Sequence, residues 1–269
     1  MPILHPALPY APWTRPAGRR LPGIMPLARA DWVFVDAAYA PQMTERARLL
    51  AEHPGEVIGL LPEAEAAARE LLREVLRDLP AHGFSVSGDA VRCPDGRAVT
   101  LDPDRPLWTL GHLLQADFCL LQKPEGSPEH ILTGAVLCFP SHWTLAEKLG
   151  RPMMRIHRPV ARYDTQMGAR VQRMFDLMRP EQPLWRANLL HYDDPTLFQP
   201  RSERTQGSVN HGGAYIRSER QCLLKLARSG AVVFSIHTAV IHRSGLSPNE
   251  AAALREIEDA AQGSTQPRV

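Results

Sequence analysis

The sequence predicts an α+β fold built on an antiparallel sheet. Two observations carry this prediction. Short apolar runs of strand character and segments of helical periodicity follow one another in irregular order, and no strand–helix–strand rhythm typical of a parallel sheet recurs. The composition is that of an ordinary globular chain, with 44% hydrophobic and 22% charged residues in 269. A net charge of +2 gives no reason to expect nucleic acid or an acidic membrane as a partner.

The first 30 residues are expected to form an extended arm. They are rich in proline, which fixes φ and removes a backbone donor. Trp13 and Trp32 are predicted to anchor the arm on the body. We therefore divide the chain into a Pro-rich N-terminal arm (residues 1–30), a single domain (31–262) and a frayed tail (263–269).

Helical periodicity is clearest over residues 62–79, where apolar side chains recur every three or four positions. Proline begins this segment and Pro80 ends it. A short helix is predicted over residues 44–50 and a longer one over 163–178. The last helix, 247–261, begins with Ser247 as its cap, proline at the first position and Glu250 at the third.

Strands are predicted where apolar runs are bounded by Pro, Gly and charged residues. The runs ADFCLLQ and ILTGAVLCF are expected to be antiparallel neighbours, and the turn signals in residues 83–106 predict a small hairpin or loosely ordered excursion. Three further strand-like segments lie at residues 184–192, 215–226 and 231–241.

The chain is expected to be a cytoplasmic protein. Its N-terminus has neither the basic region nor the continuous apolar region of a signal peptide, and no run reaches the ~20 apolar residues of a membrane span. Four widely spaced cysteines form no CxxC pair, which argues against zinc and a disulfide framework. Cys119 and Cys138 are predicted to be buried.

The stretch FPSHWTLAEKLGRPMMRIHRPV, residues 139–160, contains the most suggestive chemistry. Ser141 is predicted to cap a helix over residues 142–150. Beyond it, an extended run is predicted over Met153, Met154 and Ile156, up to His157. Pro159 disfavours a helical backbone at Arg158, so His157 is expected to be non-helical. An imidazole in such an apolar segment can be an axial haem ligand, or it can simply brace the loop. Gly-rich phosphate loops, GxSxG and HExxH motifs are absent.

Several motifs, taken together and in order, resemble the haem-dependent oxidative N-demethylase family. They are DWVFVDAAY, PEAEAAARELL, ADFCLLQ, LCFPSHWTLAEKLGRP, IHRPV, LWRANL, IRSERQCLLKL and AVVFSI. The resemblance spans roughly residues 20–240.

The resemblance implies a PAS-like fold, in which an antiparallel sheet and flanking helices enclose a pocket for haem b. It also implies oxidation of a small methylated amine such as dimethylamine with O2, which releases formaldehyde. The chain has no iron–sulfur signature and no flavin fingerprint. A separate electron-donor redox protein, carrying flavin or iron–sulfur groups, is therefore expected as a partner.

By the same resemblance, His157 in IHRPV is the expected iron ligand, with His142 in FPSHW as the alternative. Arg186 and Arg217 are candidates for pairing with the haem propionates, and an internal salt bridge is the alternative for each. Glu219 is expected to orient the substrate ammonium, unless it pairs with Arg217 or Arg220 instead. Asn188, Tyr215 and Gln221 are expected to line the same cavity.

Two other classes of function remain open. A haem-PAS sensor or carrier would bind haem without turning over an amine, and a divergent paralogue would bind no haem. The absence of an output module in the sequence favours the enzyme.

Overall fold

The computed structural model describes residues 2–14, 23–160, 163–205 and 213–263. In this part of the chain, eight strands form one antiparallel sheet and three form a second, smaller one. In chain order the strands are β1 (Met25–Pro26), β2 (Ile58–Leu60), β3 (Ser85–Ser87), β4 (Ala90–Arg92), β5 (Ala98–Thr100), β6 (Asp117–Gln122), β7 (Ile131–Val136), β8 (Leu184–Ala187), β9 (Leu190–Tyr192), β10 (Tyr215–Lys225) and β11 (Val232–His242). The predicted α+β class with an antiparallel sheet is confirmed.

The large sheet has the order β1-β8-β10-β11-β6-β7-β2, and β9 also pairs with β10. At its centre, β10 and β11 form a hairpin of two 11-residue strands. Gly230 lets the chain reverse there because its φ is 69°, a conformation that side chains with a Cβ disfavour. The buried carboxylate of Glu70 anchors the same turn by accepting hydrogen bonds from the backbone N–H groups of Arg228 (2.7 Å) and Ser229 (2.8 Å).

Helices cover both faces of the sheet. They are α1 (Tyr39–Glu52), α2 (Pro54–Val57), α3 (Glu65–Asp78), α4 (Pro106–Leu113), α5 (Leu145–Lys148), α6 (Met153–Ile156), α7 (Thr165–Leu177) and α8 (Pro248–Gly263). Strand β6 shows the two faces, because Phe118 and Leu120 pack in the core with α1, α3 and α4, whereas Cys119 and Leu121 pack with residues of α5, α6 and α7. None of the helices described is long and apolar enough to cross a bilayer.

The helix predicted over residues 62–79 is confirmed as a 3-10 turn, Pro62–Ala64, followed by α3. The helix predicted over residues 44–50 is longer, since α1 begins at Tyr39. Pro41 concealed this start, but a proline in the first turn removes only a donor that has no helical partner. The Ser247 cap is confirmed, because its hydroxyl oxygen accepts from the backbone N–H of Glu250 (3.3 Å), while the Glu250 carboxylate accepts from the backbone N–H of Ser247 (2.8 Å).

Three predictions need correction. The region 83–106 contains three paired strands, β3 to β5, instead of one hairpin. The single strand predicted over residues 184–192 is divided into β8 and β9. The backbone of Asn188 lies between them, where its N–H donates to the carbonyl of Glu219 (3.1 Å) and its carbonyl accepts from Ser218 Oγ (2.8 Å). These long-range bonds could not be read from local periodicity.

The third correction concerns the helix predicted over residues 142–150, which is only the single turn α5, with Thr144 at the position before its first residue. Ser141 instead forms an isolated bridge with Gln199. The buried states of Cys119 and Cys138 are confirmed.

The described part of the arm, residues 2–14, lies on the sheet. The backbone N–H of His5 donates to the Val240 carbonyl (2.7 Å), and Tyr10 Oη donates to the His237 carbonyl (2.7 Å). Trp13 is buried, as is Trp32. Residues 25–26 form an edge strand, a position that tolerates proline. Residues 1 and 15–22 of the arm, and residues 264–269 of the predicted tail, lie outside the described residues, and the domain boundaries stay a prediction.

Candidate functional site

One face of β10 collects polar side chains. Tyr215, Arg217, Glu219 and Gln221 alternate along the strand and therefore point to the same side of the sheet. Leu223 continues this series and packs with Phe175 and Met178 of the α7 region. At the other end of the row, Tyr215 packs against the core cluster that contains Phe139 and Leu197.

Glu219 is the centre of this row and is buried. One carboxylate oxygen accepts from Arg217 Nε (3.0 Å), and the other accepts from Asn188 Nδ2 (2.8 Å) and Gln221 Nε2 (3.2 Å). Asn188 also accepts from the backbone N–H of Glu219 (2.8 Å). The carboxylate is therefore held in place by one cation and two neutral amides, which compensates the cost of burying its charge.

Arg217 is fully buried and uses its guanidinium within the protein. Besides Glu219, it donates to the carbonyls of Leu197 (3.0 Å) and Phe139 (2.5 Å), and it lies 5.6 Å from the ring centroid of Tyr192. The internal salt bridge left open as an alternative is therefore present. Pairing of Arg217 with a propionate stays a prediction, and in this structure its observed role is to position Glu219.

Arg186 differs from Arg217 because it has no such partners among the described residues. It lies opposite Gln221 in the register of β8 and β10 and is half-buried. Its Nε is buried and makes no hydrogen bond in the described structure. Burial lowers the pKa of Arg186, while the charge of Glu219 acts to raise it. An unpaired, partly buried guanidinium next to a polar row is suited to binding an anionic group.

His142 has an unusual backbone conformation, with φ at 58°. Its N–H donates to the Gln199 carbonyl (3.0 Å), and its exposed ring stacks on that of Tyr192 at 4.8 Å. Tyr192 Oη in turn lies 2.6 Å from Ser141 Oγ and 3.5 Å from His142 Nδ1. Partial burial lowers the pKa of His142, so its imidazole is neutral at pH 7.

His157 directly follows α6 and lies outside the helix, as predicted. The extended run expected before it is wrong, because residues 153–156 form a helical turn. Its Nδ1 lies 3.0 Å from the Met153 carbonyl, and its ring stacks on Tyr163 at 4.2 Å. Burial lowers the pKa of His157 as well, which leaves a neutral imidazole whose Nε2 is not used by this hydrogen bond.

The predicted residues thus fall into two groups. His142, Asn188, Arg217 and Glu219 lie around Tyr192 and the polar row, whereas His157 contacts α6 and Tyr163. Tyr215 lies opposite Tyr192 in the β9–β10 register, with its ring against His242.

Sequence reasoning missed two residues of this site. Tyr192 was noted only as the end of a strand. Thr238 lies opposite Glu219 on β11, and its hydroxyl is buried without a hydrogen-bond partner in the part of the chain described. The alternation along β10 and β11 could have identified Thr238 only once the strand register was known.

The described residues contain no group of three or more His, Cys, Asp and Glu side chains able to hold a metal ion. This finding concerns sites built from protein ligands alone. Haem iron is held mainly by its porphyrin and takes only one or two axial side chains from the protein.

Comparison with known families supports the family resemblance. A family model described as "Haem-dependent oxidative N-demethylase, alpha subunit-like" matches residues 23–265. The match covers most of the chain and confirms the resemblance inferred from the ordered motifs.

Proposed function

We propose, on the premise that the chain belongs to the haem-dependent oxidative N-demethylase alpha subunit-like family, that it oxidatively demethylates a small secondary or tertiary methylamine such as dimethylamine. One turnover would consume O2, two electrons and two protons, and would release the demethylated amine, formaldehyde and water. The electrons would come from a separate redox protein. The family description "alpha subunit" favours this, because it implies further components. The observation that carries the proposal is the buried carboxylate of Glu219 in a chain of this family.

Haem b, when bound, would supply the iron that activates O2. The donor groups present fit such a cofactor. The Nδ1–H of His157 can donate to the Met153 carbonyl, which would fix the tautomer and leave the Nε2 lone pair for iron. This is the usual arrangement of a metal-binding histidine, and it supports His157 as the ligand in a PAS-like haem pocket. His142 stays the alternative, but its ring is exposed and its Nδ1 has only a long contact with Tyr192.

Arg186 would pair with a haem propionate, because its guanidinium is partly buried and has no acid partner in the described structure. Arg217 is the weaker candidate, since its three nitrogen atoms already donate to groups of the protein. Asn188 would contribute indirectly by holding Glu219.

Glu219 would bind the substrate ammonium and hold its proton. The oxygen facing Asn188 and Gln221 is held by neutral amides, so an ammonium could replace one of them without leaving another cation unpaired. Tyr215 lies on the same face and would help to orient the amine. Burial of the site would exclude water from the reacting methyl group.

The first experiment is the absorption spectrum of protein produced with ample haem. We expect a Soret band that His157→Ala abolishes or strongly shifts and that the matched variant His142→Ala leaves in place. The reverse pattern would assign the iron to His142. Colourless wild-type protein would reject every haem-based function and support a haem-free paralogue.

The second experiment measures formaldehyde from dimethylamine with O2 and a reducing system. We expect Glu219→Gln to lower the rate by about 100-fold or more, because the neutral amide no longer pairs with the ammonium, while the Soret band stays unchanged. Haem-loaded protein that releases no formaldehyde across a panel of secondary and tertiary methylamines would instead support a sensor or carrier.

A further inference from the structure

The ion pairs of this protein are distributed unevenly between two surfaces. On the exposed face of α1 the carboxylates outnumber the cation, because Arg48 lies between Glu45 (2.7 Å) and Glu52 (2.5 Å). Around Glu203 the ratio is inverted. Arg155 (2.9 Å), Arg158 (3.5 Å) and Lys148 (3.8 Å) converge on this single carboxylate.

Three further arginines extend this cationic region: Arg151, which follows α5, and Arg201 and Arg204, which flank Glu203 in sequence. We call these six cations, Lys148, Arg151, Arg155, Arg158, Arg201 and Arg204, the basic surface. The carboxylates within it are Glu147 and Glu203. Glu129 and Asp164 border it, and each accepts a backbone N–H. Among these named residues, the cations exceed the carboxylates by two when the bordering acids are counted and by four when they are not, although the whole chain carries only +2.

Such crowding works against stability, because like charges repel and each cation would be better satisfied by its own carboxylate. The main cations are also accessible to a partner. Arg151, Arg158 and Arg204 are exposed, and the side chain of Arg158 is 70% accessible. A surplus of exposed arginines that the fold does not need is typical of a surface that steers an oppositely charged partner.

The basic surface surrounds the segment that presents His157. Arg155 and Arg158 flank this histidine in sequence, and Lys148 Nζ donates to the carbonyl of Ile156, the residue before it (2.5 Å). We propose that the basic surface is the docking site for the acidic face of an electron-donor protein. The proposal rests on the proposed function, because His157, which would hold the iron, lies between cations of this surface and a donor bound there would be close to it. Electron-transfer complexes are small and transient, and their association depends strongly on charge.

The test uses the full-length protein and, as a probe, a plant-type ferredoxin, which is an acidic one-electron carrier. Its association is measured at low and at physiological salt for wild type, Arg158→Glu, Arg151→Glu and the control Arg92→Glu. Arg92 is exposed on β4 in the small sheet. We expect the association rate to fall about tenfold or more for each variant of the basic surface, and its salt dependence to weaken. The control should stay within about twofold of wild type.

Equal binding by wild type and both variants, or an equal loss in Arg92→Glu, would overturn the docking proposal, as would a wild type that does not bind the probe at low salt. Because binding is measured without turnover, the two proposals can fail separately. A haem-free protein whose ferredoxin binding depends on Arg158 would retain the docking surface and lose the proposed function. A haem-loaded demethylase whose ferredoxin binding does not depend on either arginine would retain the proposed function and lose the docking surface.

Discussion

Two buried pairs of arginine and carboxylate lie on the large sheet and differ in what surrounds them. Arg46 and Asp117 are both inaccessible, with Nη1 2.5 Å from Oδ1. Arg217 and Glu219 are almost as deeply buried, at 3.0 Å. Charge and burial alone therefore do not distinguish them.

The two pairs differ in their other hydrogen bonds. Asp117 accepts from the backbone N–H groups of Cys138 (2.7 Å) and Phe139 (2.9 Å), and Arg46 donates to the carbonyls of Gly111 and Gln115. This pair joins α1 and α4 to the end of β7 through backbone groups that cannot rotate away. Glu219 is held by the side chains of Asn188 and Gln221, which can rotate away. We infer that the Arg46 pair is scaffold and that the Glu219 pair is adaptable enough to exchange a partner for a ligand.

The largest expected effect tests the scaffold pair. Arg46→Met should lower the free energy of unfolding by about 3 to 5 kcal/mol, because it leaves the carboxylate of Asp117 buried without its cation. Arg48→Met, on the exposed side of the same helix, should leave it nearly unchanged. Denaturant titration of both variants measures the difference. A loss below about 1 kcal/mol for Arg46→Met would remove the distinction between the two pairs.

A third buried carboxylate, Asp36, sharpens the comparison because its partner His237 has a shifted pKa. Burial lowers the pKa of His237 to about 4, although Asp36 acts to raise it. Since the unfolded chain binds this proton at pH 6.5 and the folded chain does not, the contribution to stability is complete above about pH 6.5 and is lost as the pH falls to about 4.

For a group shifted this far, the loss is on the order of 3 kcal/mol. His237→Gln should therefore flatten the dependence of unfolding free energy on pH between 6.5 and 4, relative to wild type. A slope equal to that of wild type would show that His237 is not a source of acid sensitivity.

The smallest expected effect on stability concerns the adaptable pair. Asn188→Ala removes two hydrogen bonds to Glu219 and should cost about 1 to 2 kcal/mol. Gln221→Ala removes one longer bond from a half-buried side chain and should cost about 0.5 kcal/mol. Formaldehyde release should fall more in Asn188→Ala than in Gln221→Ala. If the Asn188 variant lost several kcal/mol, as Arg46→Met should, the site would be as rigid as the scaffold.

Much of the fold could be predicted from local sequence, because α3 and α8 depend on periodicity and capping within a few residues. The strands β6, β10 and β11 could likewise be predicted from apolar runs in the local sequence. The break at Asn188 was not predictable in this way, since it depends on hydrogen bonds to a strand about 30 residues further along the chain.

The sequence by itself determined the class of fold, the family, and the identities of the residues in the polar row. Only the tertiary structure decided their partners. It placed Arg217 against Glu219, left Arg186 without an acid partner in the described structure, and held His142 at positive φ beside Tyr192. The physical reason is that strand register and loop packing join residues distant in sequence, and a one-residue shift in register would have turned the strand side chains Arg186, Arg217 and Glu219 to the other face of the sheet.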